Sequence, residues 1–236
     1  MRTKTQPTVR PAPTPVPGPA AVWPPVRPQL PVPYVVSWSA ERSGAGERLC
    51  VRSNGEGLGY RDERAEDRDH HGVLWARSAD GCGEGRPVFP AMHPLRQREA
   101  MFNRLCQVCA KPASRTSDGV LFLNQREAEG DGEEPDHWEG ALTTKPPVCL
   151  PCAALAVRLC PHLTDPIAIR SRAPRLWGVF GGFFVSTLTG GWADPVPGTN
   201  YLRYGSPDQP WFLANQLVVQ LRRCTVVDLR AELATV

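Results

Sequence analysis

Four cysteines carry the clearest chemistry in this sequence. Cys106-Gln-Val-Cys109 and Cys149-Leu-Pro-Cys152 are two Cys-x-x-Cys pairs with 39 residues between them. One such pair sets two sulfurs along an edge of a tetrahedron, and a second pair supplies the opposite edge. Together they read as one four-thiolate Zn2+ site. Four protein thiolates close the coordination sphere, whereas a catalytic zinc keeps a position for water, so this zinc is expected to be structural. Other readings compete. The pairs are unrelated, or Cys149 and Cys152 form a redox dithiol, or the cysteines join in disulfides. The dithiol reading lacks the flanking βαβ pattern of a thioredoxin-like domain.

Weaker candidates surround the pairs. His70 and His71 stand beside Asp67 and Asp69, with nothing in the sequence to fix their geometry as a metal site. Cys160 and His162 follow Cys152 too distantly to share its ion, since eight residues of helix span about 12 Å. Packing is the expected role of Cys160, as of Cys50, Cys82 and Cys224. Arg96, Arg98 and Arg104 beside the first pair, with Arg170, Arg172 and Arg175, are the candidate nucleic-acid contacts.

The elements that must position these residues are short. Pro94 to Cys106 has helical spacing of Leu95, Met101 and Leu105 and runs into the first pair. Gly119–Leu123 reads as a strand. Residues 124–139 carry seven acidic residues and form a long acidic insertion, taken as 124–146. Cys149 to Cys160 reads as a short helix with Pro151 near its start and Pro161 stopping it. Strands are expected at Tyr34–Trp38, Gly72–Ala76 and Ile167–Arg170. Leu176–Phe180 and Phe183–Ser186 read as a hairpin turning on Gly181-Gly182. Residues 189–210 read as a Gly/Pro loop. Leu217–Leu221 and Cys224–Asp228 favour strands, although Leu213, Leu217 and Leu221 also fit a helix.

Residues 1–33 hold eleven prolines. Alternating proline removes amide donors, so this is expected to be an extended, disordered tail. It is followed by a β-rich segment at 34–92, a zinc module at 93–163 and a second β-rich segment at 164–236. The two β-rich segments are expected to pack as one domain. The fold class is α+β, loop-rich, with short antiparallel strands, two short helices and a treble-clef-like zinc module.

The totals exclude more than they assign. The net charge of +3 argues weakly for nucleic acid. The 24 Arg against 3 Lys fit a GC-rich coding bias. No secretory signal and no apolar run of about 18 residues is seen, so a cytoplasmic protein with reduced thiols is expected, with no membrane partner. No glycine pattern of the phosphate-binding kind occurs, so no small-molecule cofactor is expected.

Several stretches are specific: His93-Pro-Leu-Arg-Gln-Arg98, Leu105-Cys-Gln-Val-Cys-Ala110, Asp118–Leu123, Pro146–Ala153, Cys160-Pro-His-Leu163 and Cys224–Leu229. They resemble a family of uncharacterised, phage-like proteins of Streptomyces and related actinobacteria. That resemblance sharpens the zinc site without implying a reaction. A second similarity is to HNH endonucleases, which build a catalytic metal site on a treble clef with two cysteine pairs. It implies Asp136 and His137 as catalytic residues. The surrounding carboxylates oppose that role, because they repel a phosphate. The expectation is a zinc-binding, non-enzymatic binding or scaffolding protein for nucleic acid or protein, with the endonuclease as the alternative.

Overall fold

A computed structural model describes residues 31–41, 49–53, 55–125, 138–186, 193–196 and 200–234. The expectations for residues 1–30 and for most of the acidic insertion, including Asp136 and His137, lie outside them. Residues from Pro31 onward form one compact unit.

Strands dominate. Four short ones come first: β1 (Val36–Trp38), β2 (Leu49–Val51), β3 (Leu58–Tyr60) and β4 (Leu74–Trp75). Then come β5 (Pro87–Met92), helix α1 (Pro94–Asn103), β6 (Arg115–Thr116), β7 (Gly119–Gln125) and β8 (Leu142–Thr143). Helix α2 (Leu150–Leu159) precedes β9 (Pro166–Ser171), β10 (Arg175–Ser186), β11 (Ala193–Val196) and β12 (Tyr201–Arg203). The chain closes with β13 (Phe212–Gln220), β14 (Cys224–Val227) and helix α3 (Leu229–Leu233). The fold is α+β and loop-rich, with one more helix among the described residues than the expected two.

Two sheets organise the unit. One runs β11-β10-β13-β4, with β12 also on β10 and β8 also on β13; the other runs β14-β9-β7-β6. Pairing is antiparallel except for β4, which runs parallel to β13. The second sheet joins β6 and β7, from the expected zinc module, to β9 and β14, from the expected C-terminal segment. The boundary at 163/164 therefore crosses a sheet and does not separate two modules.

Strand β7 links the core to the cysteines. Its side chains alternate between faces. Val120 and Phe122 enter the main core with Ile169, Val179, Phe212 and Leu217. Leu121 and Leu123 face the other way and pack with Cys106, Val148 and Ala153. Both faces are buried, which explains why Gly119–Leu123 is a continuous apolar run.

Three expectations need correction. Residues 176–186 are not a hairpin: β10 continues through Gly181 and Gly182. The glycines accommodate neighbours. A Cβ on Gly178 would stand 2.0 Å from the Leu202 carbonyl oxygen, and one on Gly181 would stand 2.0 Å from that of Leu213. Residues 189–210 are not all loop, because β11 and β12 pair with β10. Phe212–Gln220 is strand throughout, so the helical spacing of Leu213, Leu217 and Leu221 is incidental.

Helix α1 starts where the sequence places it. His93 is its N-cap, with Nδ1 accepting from the Arg96 amide at 3.4 Å, and Pro94 opens the first turn. Its buried face differs from expectation. Arg96, Gln97, Ala100 and Met101 are buried, while Leu95 and Phe102 are 56% and 68% exposed.

Candidate metal centre

Three local structures bring the sulfurs together. The first pair sits on a tight turn after α1. Arg104 in the left-handed conformation (φ 55°) ends that helix. The Cys106 amide then donates to the Lys111 carbonyl at 2.7 Å, and the Ala110 amide donates to the Cys106 carbonyl at 2.9 Å. Ala110 has φ 58°, which folds the chain back under Cys109. The hairpin of β6 and β7 follows. The second pair opens α2, with Cys149 as its N-cap and Cys152 in its first turn. Cys106, Cys109, Cys149 and Cys152 thus offer four sulfurs all within 4.8 Å of one another.

That spacing fits a metal. An ion about 2.3 Å from each of four tetrahedral sulfurs holds them about 3.8 Å apart. Cys109 Sγ and Cys149 Sγ are separated by 3.7 Å. All four cysteines are unbridged. A redox dithiol needs only Cys149 and Cys152, whereas the structure gathers both pairs at one point.

The electrostatics call for a cation. Burial pushes the Cys149 thiol up, although the Cys152 amide and side chain act against it. Burial, the Cys149 sulfur and the charge of Cys106 push Cys152 up strongly. Burial also raises Cys109, but the Lys111 amide and the neighbouring sulfurs outweigh it and lower that thiol. Neighbouring thiolates repel each other, and burial adds to the cost of holding several of them together. A divalent ion removes the conflict by binding them all in deprotonated form. The N-terminal end of α2 adds positive potential beside the second pair.

The site is braced by backbone. The Tyr34 and Val35 amides donate to the Val108 and Gln107 carbonyls at 3.0 and 3.2 Å. The Gln107 amide donates to the Pro147 carbonyl at 3.0 Å, and Val148 donates to Leu121 at 3.0 Å. Sequence reasoning misses these supports, because main-chain contacts leave no side-chain signature. Cys106 is fully buried.

No family model, curated protein or solved structure matches this chain.

The other sequence candidates are dispersed. Among the described residues, no second group of metal-ligating side chains converges. Asp67 binds Arg77, while Asp69 accepts from the Trp75 indole, the Tyr204 hydroxyl and the His71 and Val73 backbone amides, so neither carboxylate joins the His70 or His71 rings in a ligand cluster. His71 stacks on Tyr204 at 3.9 Å. Cys160 and Cys82 are exposed rather than packed, and His162 is exposed beyond the end of α2.

The six arginines do not form one surface. Arg96 is buried, and its guanidinium meets Glu41 at 2.6 and 2.8 Å and the Tyr34 and Val36 carbonyls at 2.7 and 2.8 Å. Arg170 is fully buried against Glu232, Ser114 and the Gly119 carbonyl. Neither is available to a phosphate. Arg98 lies over the Trp75 ring at 4.8 Å. Arg104, Arg172 and Arg175 remain exposed.

Proposed function

We propose that this protein is a zinc-fastened, non-enzymatic binding or scaffolding protein. Cys106, Cys109, Cys149 and Cys152 hold one structural Zn2+, and binding is carried by surfaces that the fastened fold presents. The observation that supports this reading most directly is the convergence of four sulfurs within 4.8 Å. An all-thiolate set suits a soft or borderline ion and, when tetrahedral, zinc. With four protein ligands no coordination position is reserved for water or substrate. The order of turn, hairpin and helix start corresponds to a treble clef. Kinship with the phage-like actinobacterial family belongs to the same proposal, supported by the motifs between His93 and Leu163. A cytoplasmic setting, which keeps thiols reduced, suits a thiolate centre.

The test is the metal content of reduced, purified protein. One zinc per chain, lost together with the fold in Cys149→Ser, is the expected result. A folded protein that takes up no zinc, or one whose fold survives full chelation, overturns the reading. No helix among the described residues is long and apolar enough to cross a membrane.

A further inference from the structure

The chain treats its arginines in two ways. Arg96 and Arg170 are buried and matched by Glu41 and Glu232. Four others are gathered at one end of the two sheets and left facing solvent. Arg172 and Arg175 flank the connection from β9 to β10. Arg222 and Arg223 form the connection from β13 to β14. All four are exposed.

These two connections are tied together. The Arg172 amide donates to the Arg223 carbonyl at 3.3 Å, and the Ala173 amide donates to the Arg222 carbonyl at 3.2 Å. Ser171 Oγ donates to the Arg222 carbonyl at 2.7 Å and accepts from the Arg222 amide at 3.1 Å. Arg175 and Gln220 are register partners, and Arg175 Nε donates to Gln220 Oε1 at 3.1 Å. The four positions are thus held as neighbours by main chain, not by chance of side-chain reach.

Among the described residues, little neutralises them. Arg222 Nε is 3.2 Å from Glu139, but both side chains are about half exposed (45% and 48%), where such a pair contributes little. Asp118 lies in the turn between β6 and β7, and it is the following residue, Gly119, that packs against the Arg172 backbone. Arg172 and Arg223 make no ion pair among the described residues. Arg223 also holds φ 53°, a conformation that favours glycine. An arginine kept there, beside like charges, has both strain and repulsion against it. A phosphate backbone would relieve the repulsion, since guanidinium forks match its oxygens and counterion release favours the complex.

We infer that Arg172, Arg175, Arg222 and Arg223 form a binding surface for a nucleic-acid backbone, without base readout. This rests on the reading of the protein as a binding protein and names the partner class. Sequence reasoning does not single out Arg222 and Arg223, because only strand pairing brings them beside Arg172 and Arg175.

The experiment uses the full chain with its metal and a fluorescent DNA duplex of random sequence, titrated at several salt concentrations. The comparison variant is Arg172→Ala with Arg223→Gly. Glycine at 223 relieves the backbone, so loss of fold is not an expected cause of weakened binding. Binding by the wild type at low salt is expected. The variant is expected to bind at least about tenfold more weakly, with a salt slope smaller by about 2, one for each phosphate no longer neutralised. Absence of duplex binding in zinc-loaded, folded protein overturns the inference and leaves the zinc reading standing. Unchanged binding by the variant overturns it as well. Competition by a polyglutamate peptide as effective as that by DNA assigns the surface to acidic protein segments and also overturns it.

Discussion

Arg170 and Glu232 meet side by side, with Nε and the second terminal nitrogen of the guanidinium at 2.7 and 2.5 Å from the two carboxylate oxygens. Arg170 lies at the centre of the second sheet and is fully buried, while Glu232 belongs to the short C-terminal helix α3. The pair fastens that helix to the sheet. Removing the carboxylate leaves a buried charge with fewer partners, which costs about 3 kcal/mol. Glu232→Ala is therefore expected to lower Tm by roughly 6–12 °C for a chain of this size. A shift within about 2 °C by calorimetry, on the order of the effect of an ordinary surface substitution, counts against the fastening role.

Acid sensitivity follows from the same kind of contact. Arg96, by direct hydrogen bonds, holds Glu41 below the usual carboxylate range, and Arg77, Arg68 and Arg170 do the same for Asp67, Glu63 and Glu232. Each depressed carboxylate contributes stability that is fully present above its unfolded pKa of about 4. That contribution is lost as pH falls through the lower folded value. Burial and the neighbouring Arg96 charge hold His93 down as well. Its neutral form is favoured in the fold, so its contribution is full above about 6.5 and declines below that. All five groups act in one direction. Denaturant midpoints are expected to fall on acidification from pH 7, first through His93 and then more steeply below about pH 4. His93→Gln is expected to lessen the upper part alone, the remainder of which reflects proton competition for zinc. A midpoint that stays level between pH 7 and pH 3 contradicts the assignment.

Helix α1 shows what the sequence discloses and what it does not. Its start is legible, because His93-Pro94 carries a local start signal, but its end is not: the spacing carries the helix on to Cys106, whereas it stops at Asn103 with Arg104 left-handed. Neither is its inward face. Leu95, Met101 and Leu105 mark a helical stripe by hydropathy, yet Leu95 is exposed and the polar Gln97 is taken wholly inside beside Ala100. Its amide donates to the Leu217 carbonyl at 3.0 Å and to that of Thr144 at 2.6 Å, and its oxygen accepts from the Leu217 amide at 2.8 Å. Those partners are distant along the chain, so no local pattern announces them. The cysteine pairs behave oppositely, since ligand spacing is written within each pair. Gln97→Ala is expected to cost about 2–3 kcal/mol through unpaired buried amide and carbonyl groups. Phe102→Ser is expected to stay within about 0.5 kcal/mol. Urea melts of the two variants check the order, and the reverse order refutes the burial argument.

The glycines of β10 give a sharper contrast over five residues. Gly181-Gly182 resembles a turn by composition, but cross-strand contact decides its role. A methyl group on Gly178 or Gly181 meets a carbonyl oxygen of the neighbouring strand at 2.0 Å, and backbone must move to admit it. On Gly182 the nearest obstacle is the Phe184 ring at 3.5 Å, an ordinary contact. Gly178→Ala and Gly181→Ala are expected to destabilise by about 1–3 kcal/mol, as overpacking does. Gly182→Ala is expected to be neutral or slightly stabilising through the unfolded chain. Equal effects at all three positions refute the cross-strand explanation.

Metal uptake by the four cysteines has a proton count attached. Burial and neighbouring sulfurs raise the Cys149 and Cys152 thiols, while the Lys111 amide and the other sulfurs hold Cys109 down. The metal-free cluster near neutral pH therefore retains most of its protons. Coordination by four thiolates expels them, so binding one zinc at pH 7 is expected to release about three to four protons. Titration in a weak buffer with a pH indicator measures the number directly. Cys149→Ser and Cys152→Ser are each expected to reduce both affinity and proton release, and affinity in the wild type is expected to weaken steeply as pH falls. Release of two protons or fewer means that only one pair binds the ion. In that case the convergence of Cys106 and Cys109 with Cys149 and Cys152 serves packing instead.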